Sequence, residues 1–218
     1  MNSSQKGEKQ RLFSKGRIDT LTDGVFAFAM TMLVTGLDIP KINGIITSNT
    51  IDKILVGLAP DFIHYLLAFI LLANFWWAHH ERSHYIHAMD KRMIFLNIVS
   101  LLFVGLIPFS TNLVGDFPLN THAALIFELN LVFLGFLSLL QWNQVLRNIP
   151  CLNEDADIEE IILGRDDAII FPALSMIGIF FALSAVSWGI FVYALAPVYI
   201  ICIKLWKTQS HKRNIPHT

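Results

Sequence analysis

This sequence is short of charge. Asp, Glu, Lys and Arg together make up only 15% of its 218 residues, against 54% hydrophobic residues, and the mean hydropathy is +0.55. A soluble chain of this length could bury a core, but it would also need charge to cover its surface. Cysteine is scarcer still. The two present, Cys151 and Cys202, set no disulfide framework. The N-terminus is polar and lacks the basic-then-apolar design of a cleaved signal peptide. No stretch reads as a soluble enzyme module. The net charge of −1 singles out no partner, and no nucleic acid and no cofactor are expected.

What is there is a series of apolar runs of roughly 20 residues, the length that crosses about 30 Å of hydrocarbon. Six spans can be drawn: Thr22 to Ile39, Ile54 to Ala78 with Pro60 kinking its outer end, Met93 to Leu113, Ala124 to Leu146, Ile169 to Val186, and Trp188 to Leu205. The last two share a very short connection and predict a helical hairpin. The longest loop, from Arg147 to Asp167, is acidic, and its Asp157-Ile-Glu-Glu-Ile-Ile stretch predicts an amphipathic juxtamembrane helix.

Basic residues set the orientation. Lys6, Lys9, Arg11, Lys15 and Arg17 precede the first span, Arg82, Lys91 and Arg92 follow the second, and Arg147 and Arg165 follow the fourth. Lys204, Lys207, Lys212 and Arg213 end the chain. In a six-span arrangement all of these share one side, and only Lys41 and Lys53 fall on the other. The positive-inside rule then puts both termini in the cytoplasm of a multi-pass cell-membrane protein. Trp76, Trp77, Trp142 and Trp206 sit where an inner aromatic belt belongs.

Three sets of residues could carry chemistry. The first is a face of span one: Phe28, Thr31, Met32 and Thr35 recur at i, i+3, i+4 and i+7. A lipid-facing helix needs no two threonines on one face, whereas a helix lining a path could use them. The plainer reading returns the hydroxyl of Thr31 to the carbonyl of Ala27 and that of Thr35 to the carbonyl of Thr31. Thr20-Leu-Thr-Asp23 has capping-box spacing, and Arg17 stands close enough to pair with Asp23. The second set is His80-Glu81-Arg82-Ser83-His84, an H-E-x-x-H match that on a helix would present two imidazoles and a carboxylate to zinc. Four histidines within nine positions make a chance match easy, and no third ligand stands out, so no metal is expected. The third set, Asn74, Asn97, Glu128, Asn130 and Gln141, is polar at membrane depth, where such groups join helices or line a watery path.

Arg17 is followed by Leu21, Thr22 and the run Asp23, Gly24, Val25, Phe26 and Ala27. This pattern resembles the hallmark of the family of the lysosomal potassium channel transmembrane protein 175, in its prokaryotic form with a single six-helix unit. That hallmark is an Arg followed by Phe-Ser-Asp and Gly-Val-Phe-Ala, with Leu21 and Thr22 here in place of Phe and Ser. Asn74-Phe-Trp-Trp-Ala-His79-His80 resembles the end of the family's second helix. Leu96-Asn97 with Leu106-Ile-Pro108-Phe-Ser-Thr-Asn-Leu-Val-Gly resembles its third, and Ser184-Ala-Val-Ser-Trp188 with Ala196-Pro197 its closing hairpin.

The resemblance implies an all-α integral membrane protein of six transmembrane helices, a tetramer around helix one that conducts potassium ions. The Thr-Val-Gly-Tyr-Gly filter of other potassium channels is absent. The resemblance places Phe28 at the inner constriction, Thr31 at the threonine layer, and Met32 and Thr35 beyond it. Family members more often carry Ile or Leu at the Phe28 and Thr35 positions. Arg17, Thr22, Asp23, His79, His80 and Asn97 become a structural network holding helix one to helices two and three. The expected division is a polar segment 1–16, a channel domain 17–208 and a polar tail 209–218. The expected partners are potassium ions, the bilayer and further copies of the chain. A pathway for protons or other cations, a membrane zinc protease using His80, Glu81 and His84, and a non-conducting interaction protein are the alternatives.

Overall fold

The structure, a computed structural model, describes residues 13–38 and 48–184. The predicted sixth span, its hairpin with the fifth, Cys202 and Trp206 lie outside the described residues. A two-residue strand β1 (Phe13–Ser14) leads into α1 (Lys15–Met32), which tightens into a 3-10 turn at Leu33–Gly36. Helices α2 (Ser48–Gly57), α3 (Ala59–His84), α4 (Lys91–Asp116) and α5 (Thr121–Arg147) follow. A second short strand, β2 (Ala88–Met89), sits between α3 and α4. Beyond α5 come the short helix α6 (Ile158–Asp167) and then α7 (Ile170–Leu183).

Among the described residues, five segments are long and apolar enough to cross a membrane: Lys15–Gly36, Ala59–His84, Lys91–Asp116, Thr121–Arg147 and Ile158–Leu183. Their outward faces are apolar. On α4, Phe95, Leu102 and Phe109 are all exposed, seven residues apart along one stripe. In water such a stripe would be a liability; against lipid it is the expected coat. The inward faces form one core in which α1 contributes Phe26, Ala29 and Leu33, α3 Leu72 and Phe75, α4 Val104 and Ile107, and α5 Phe127 and Leu131. A smaller cluster at one end gathers Ile86, Met93, Trp142, Cys151 and Ile161.

Several boundaries differ from the sequence reading. Helix α1 starts at Lys15, not at Thr22, because nothing between those residues breaks a helix. Thr20-Leu-Thr-Asp23 is therefore interior to it and caps nothing. Pro60 does not kink a span. It stands in the first turn of α3, where its missing N–H costs no helical bond, and the chain breaks before it at Leu58, separating α2. Helix α3 then continues past Ala78 to His84, so Arg82 is a helix residue buried in the fold rather than a loop charge. Trp142 is not at a surface belt: it is 2% exposed, packed against Gly164 of α6. The acidic loop does hold a helix, α6, which Asp157 caps by accepting from the Glu159 N–H at 2.8 Å.

The α5–α7 crossing is close because each helix offers a glycine. Gly135 lies against Pro172, and Gly178 leaves room for the carboxyl of Glu128. Glu128 is 2% exposed, so its polar group is enclosed within this crossing and not hydrated at a surface.

Candidate functional site: one face of the first helix

Helix α1 divides lengthwise. Thr22, Phe26, Ala29 and Leu33 are buried, at spacings of four, three and four, against α3 and α4. Phe28, Thr31, Met32 and Thr35 are exposed on the other side, Phe28 by 66%. No neighbouring element of the described chain covers that face. Both threonines turn their hydroxyls back to their own helix, but not to the carbonyls expected. Thr31 Oγ1 donates to Phe28 O at 2.8 Å and Thr35 Oγ1 to Met32 O at 2.7 Å, each reaching back three residues. For Thr35 the cause is local: a 3-10 turn puts residues three apart above one another. A hydroxyl whose proton is given to the backbone presents oxygen lone pairs outward. That is the polarity a cation takes.

The polar groups behind this face attach α1 to its neighbours. Thr22 is fully buried; its hydroxyl donates to Ile18 O at 2.9 Å and accepts from Asn97 Nδ2 of α4 at 2.8 Å. Asp23 does not pair with Arg17. It accepts from the indole N–H of Trp76 on α3 at 2.8 Å, while Arg17 is exposed. His80 stacks on the same Trp76, the ring centroids 5.7 Å apart. His79 lies deeper, with Nε2 3.7 Å from Asp19 Oδ1, and both Asp19 oxygens accept from Ser83 Oγ, the shorter bond at 2.9 Å. Asp19, Trp76 and Ser83 thus belong to the attachment, although sequence reasoning did not place them there. Asp19 had one available signal: it stands four residues before Asp23 with no helix breaker between. Replacing Trp76 with Phe removes the donor to Asp23 but keeps most of the aromatic volume. The folded protein should lose about 1 kcal/mol, read as a lower thermal midpoint in detergent.

The H-E-x-x-H residues are engaged separately. His80 faces Trp76, Glu81 accepts from Trp77 Nε1 at 2.6 Å, and His84 lies edge-on to Tyr85. Among the described residues no three His, Cys, Asp or Glu side chains are grouped to hold a metal. The remaining polar residues act between or within helices. Asn130 donates to Ser110, Gln141 to Leu96 O, and Asn74 to Ile70 O.

Residues 17–108 match the family described as endosomal/lysosomal potassium channel TMEM175. Over those residues, a little under half of its length, the chain is similar to the TMEM175 family. The match takes in α1, α3 and most of α4, the helices that build the face and its attachment. A potassium channel of Streptomyces collinus is 28% identical over 109 residues, covering 50% of this chain and 52% of the relative. A potassium channel of a Chryseobacterium species is 23% identical over 191 residues, covering 86% and 93%. The endosomal/lysosomal proton channel TMEM175 of Mus musculus is 31% identical over 116 residues, 50% of this chain and 23% of the relative. The first of these matches thus spans about half the relative's length. The crystal structure of a lysosomal potassium-selective channel TMEM175 homolog from Chamaesiphon minutus has the same fold. It superposes with a TM-score of 0.73 at 21% identity, over 86% of this chain and 96% of that one. The TMEM175 family is one of ion channels, not enzymes, and with its apolar helices this chain is a multi-pass membrane protein.

Proposed function

We propose that the chain forms a potassium-permeable channel whose pore is enclosed by α1 from several copies, four in the arrangement the resemblance implies. The observation that carries this reading is the uncovered face of α1. A single helix cannot enclose a path, so Phe28, Thr31, Met32 and Thr35 need symmetry mates across an axis to become a lining. The outward lone pairs of Thr31 and Thr35 suit a partly hydrated cation held weakly enough to leave again. The apolar ring at Phe28 sets access. The cytoplasmic basic residues put both termini inside. The experiment is a liposome flux assay on purified protein, comparing potassium with sodium. Potassium flux exceeding sodium flux supports the reading; absence of flux for both refutes it.

A second reading, a proton pathway, is favoured by the name of the Mus musculus relative, a proton channel. The same liposomes separate the two: a proton current that persists when potassium is removed selects it.

Thr31→Val keeps the side-chain shape and removes only the oxygen. Potassium-over-sodium selectivity should fall while the amount of folded protein stays near that of the parent, checked by reversal potentials and size-exclusion yield.

A further inference from the structure

A small cavity lies inside the helix bundle. His79 and Arg82 of α3, Asn97 and Ser100 of α4, and Ser138 and Gln141 of α5 line it, with a volume of about 20 Å³. One water-sized occupant requires roughly 10–15 Å³.

Arg82 gives this cavity its character. It is 7% exposed. Its Nη2 donates to Gln141 Oε1 and to His79 Nδ1, the latter at 3.3 Å, and its guanidinium carbon stands 5.8 Å from the Trp142 ring centre. A guanidinium can only donate, so Nδ1 of His79 is an acceptor and that imidazole carries no second proton. All three partners of Arg82 are therefore neutral. Asp19 stands at the neutral His79 and Asp166 at Arg165, and neither brings a carboxylate to Arg82. Its Nη1 is buried without a hydrogen-bond partner. A buried guanidinium left in this condition is costly, more so in a membrane-spanning helix.

Asp19, the carboxylate beside His79, does not restore the balance. Asp19 is bound by Ser83 Oγ, and the Lys15 ammonium sits on the carbonyl of the same Ser83 at 2.6 Å. Lys15, Asp19 and Arg82 together keep one positive charge, and its most buried part is the unpaired Nη1. Ser100 and Ser138 line the same cavity as Arg82, and Phe26, Phe75, Leu101 and Leu134 form its apolar part.

We propose that this cavity is a binding site for one monatomic anion, chloride in ordinary salt. Nη1–H and the hydroxyls of Ser100 and Ser138 are donors of the kind a halide accepts from, and the anion cancels the residual charge. A water molecule would satisfy Nη1 but leave the charge in place. Polyatomic organic anions exceed the space.

The test uses the full chain in detergent, with potassium as the cation throughout. Thermal midpoints are compared in potassium chloride, bromide and gluconate at equal ionic strength. Chloride and bromide should raise the midpoint by a few degrees with saturation, as a ligand of the folded state does, and gluconate should not. Crystals grown in bromide should show an anomalous peak beside Arg82. Ser138→Val, which leaves every bond of Arg82 intact, should diminish the halide-dependent rise. Arg82→Gln, if it folds, should abolish it. A midpoint indifferent to the anion overturns the proposal. So does a map with water and no bromide at Arg82, whatever the midpoints do.

Discussion

Phe28→Ala should increase potassium flux severalfold and reduce discrimination against sodium. Phe28 is the largest apolar side chain on the uncovered face of α1 and is 66% exposed. In a ring of several copies it would be the narrowest apolar constriction, the kind that gates by excluding water. Truncation to a methyl widens that ring and lets it stay wet. With two thirds of the side chain exposed among the described residues, little packing is lost, so folding should be preserved and the change should be confined to transport. Stopped-flow liposome assays with potassium and sodium gradients measure both effects. A cysteine series along α1 checks the geometry independently. Positions 28, 31 and 35 should react with a water-soluble thiol reagent, and positions 29 and 33, buried against α3 and α4, should not. The native Cys151 adds little background: it is buried, and burial together with the nearby Asp90 charge pushes its thiol pKa up, keeping it protonated and unreactive. Reaction at 29 and 33 with silence at 28, 31 and 35 would mean that the helix is turned the other way.

Gly135→Ala should be strongly destabilising. A Cβ there would come 2.6 Å from Pro172 Cδ and 2.9 Å from its backbone nitrogen, and a proline ring at a helix crossing has little freedom to yield. Overpacking of this kind costs about 1–3 kcal/mol, enough to lower the thermal midpoint and the yield of folded protein together. Gly105→Ala is the matched control. A Cβ at Gly105 meets nothing within 4 Å, so the higher helix propensity of Ala should stabilise the protein by up to about 1 kcal/mol. Opposite signs for one chemical change at two helical glycines would tie the effect to the α5–α7 contact. Equal signs would refute that assignment.

The apolar spans are legible in the sequence because span length is a property of consecutive residues. The face of α1 is legible for a similar reason, since helical spacing alone groups Phe28, Thr31, Met32 and Thr35. What lies behind that face depends on how helices cross. Asn97 and Thr22 are 75 residues apart, and nothing in either local sequence names the other. Trp76 reads as an interfacial anchor, yet its N–H serves Asp23. Arg82 and Asp19 are hidden by boundaries: ending the second span at Ala78 and starting the first at Thr22 leaves both outside the helices that bury them. The threonine hydroxyls show a finer limit, because the choice of a carbonyl three rather than four residues back follows, at Thr35, from the 3-10 turn beginning at Leu33.

The antiparallel pair of Phe13–Ser14 with Ala88–Met89 adjoins the first residue of α1. There Lys15 also bonds to the carbonyls of Ser83 and Ile86 at 2.6 and 2.9 Å. Any tilt of α1 would have to pivot near this end. From Lys15 the helix rises 1.5 Å per residue, so Thr35 stands about 30 Å along it and Asp19 only about 6 Å. A tilt of about 10° about that pivot would swing Thr35 by about 5 Å and Asp19 by about 1 Å. The hydrogen bonds from α1 to its neighbours lie in the first part of the helix, at Lys15, Asp19, Thr22 and Asp23, whereas beside Thr31 and Thr35 the helix is held by the packing of Ala29 and Leu33.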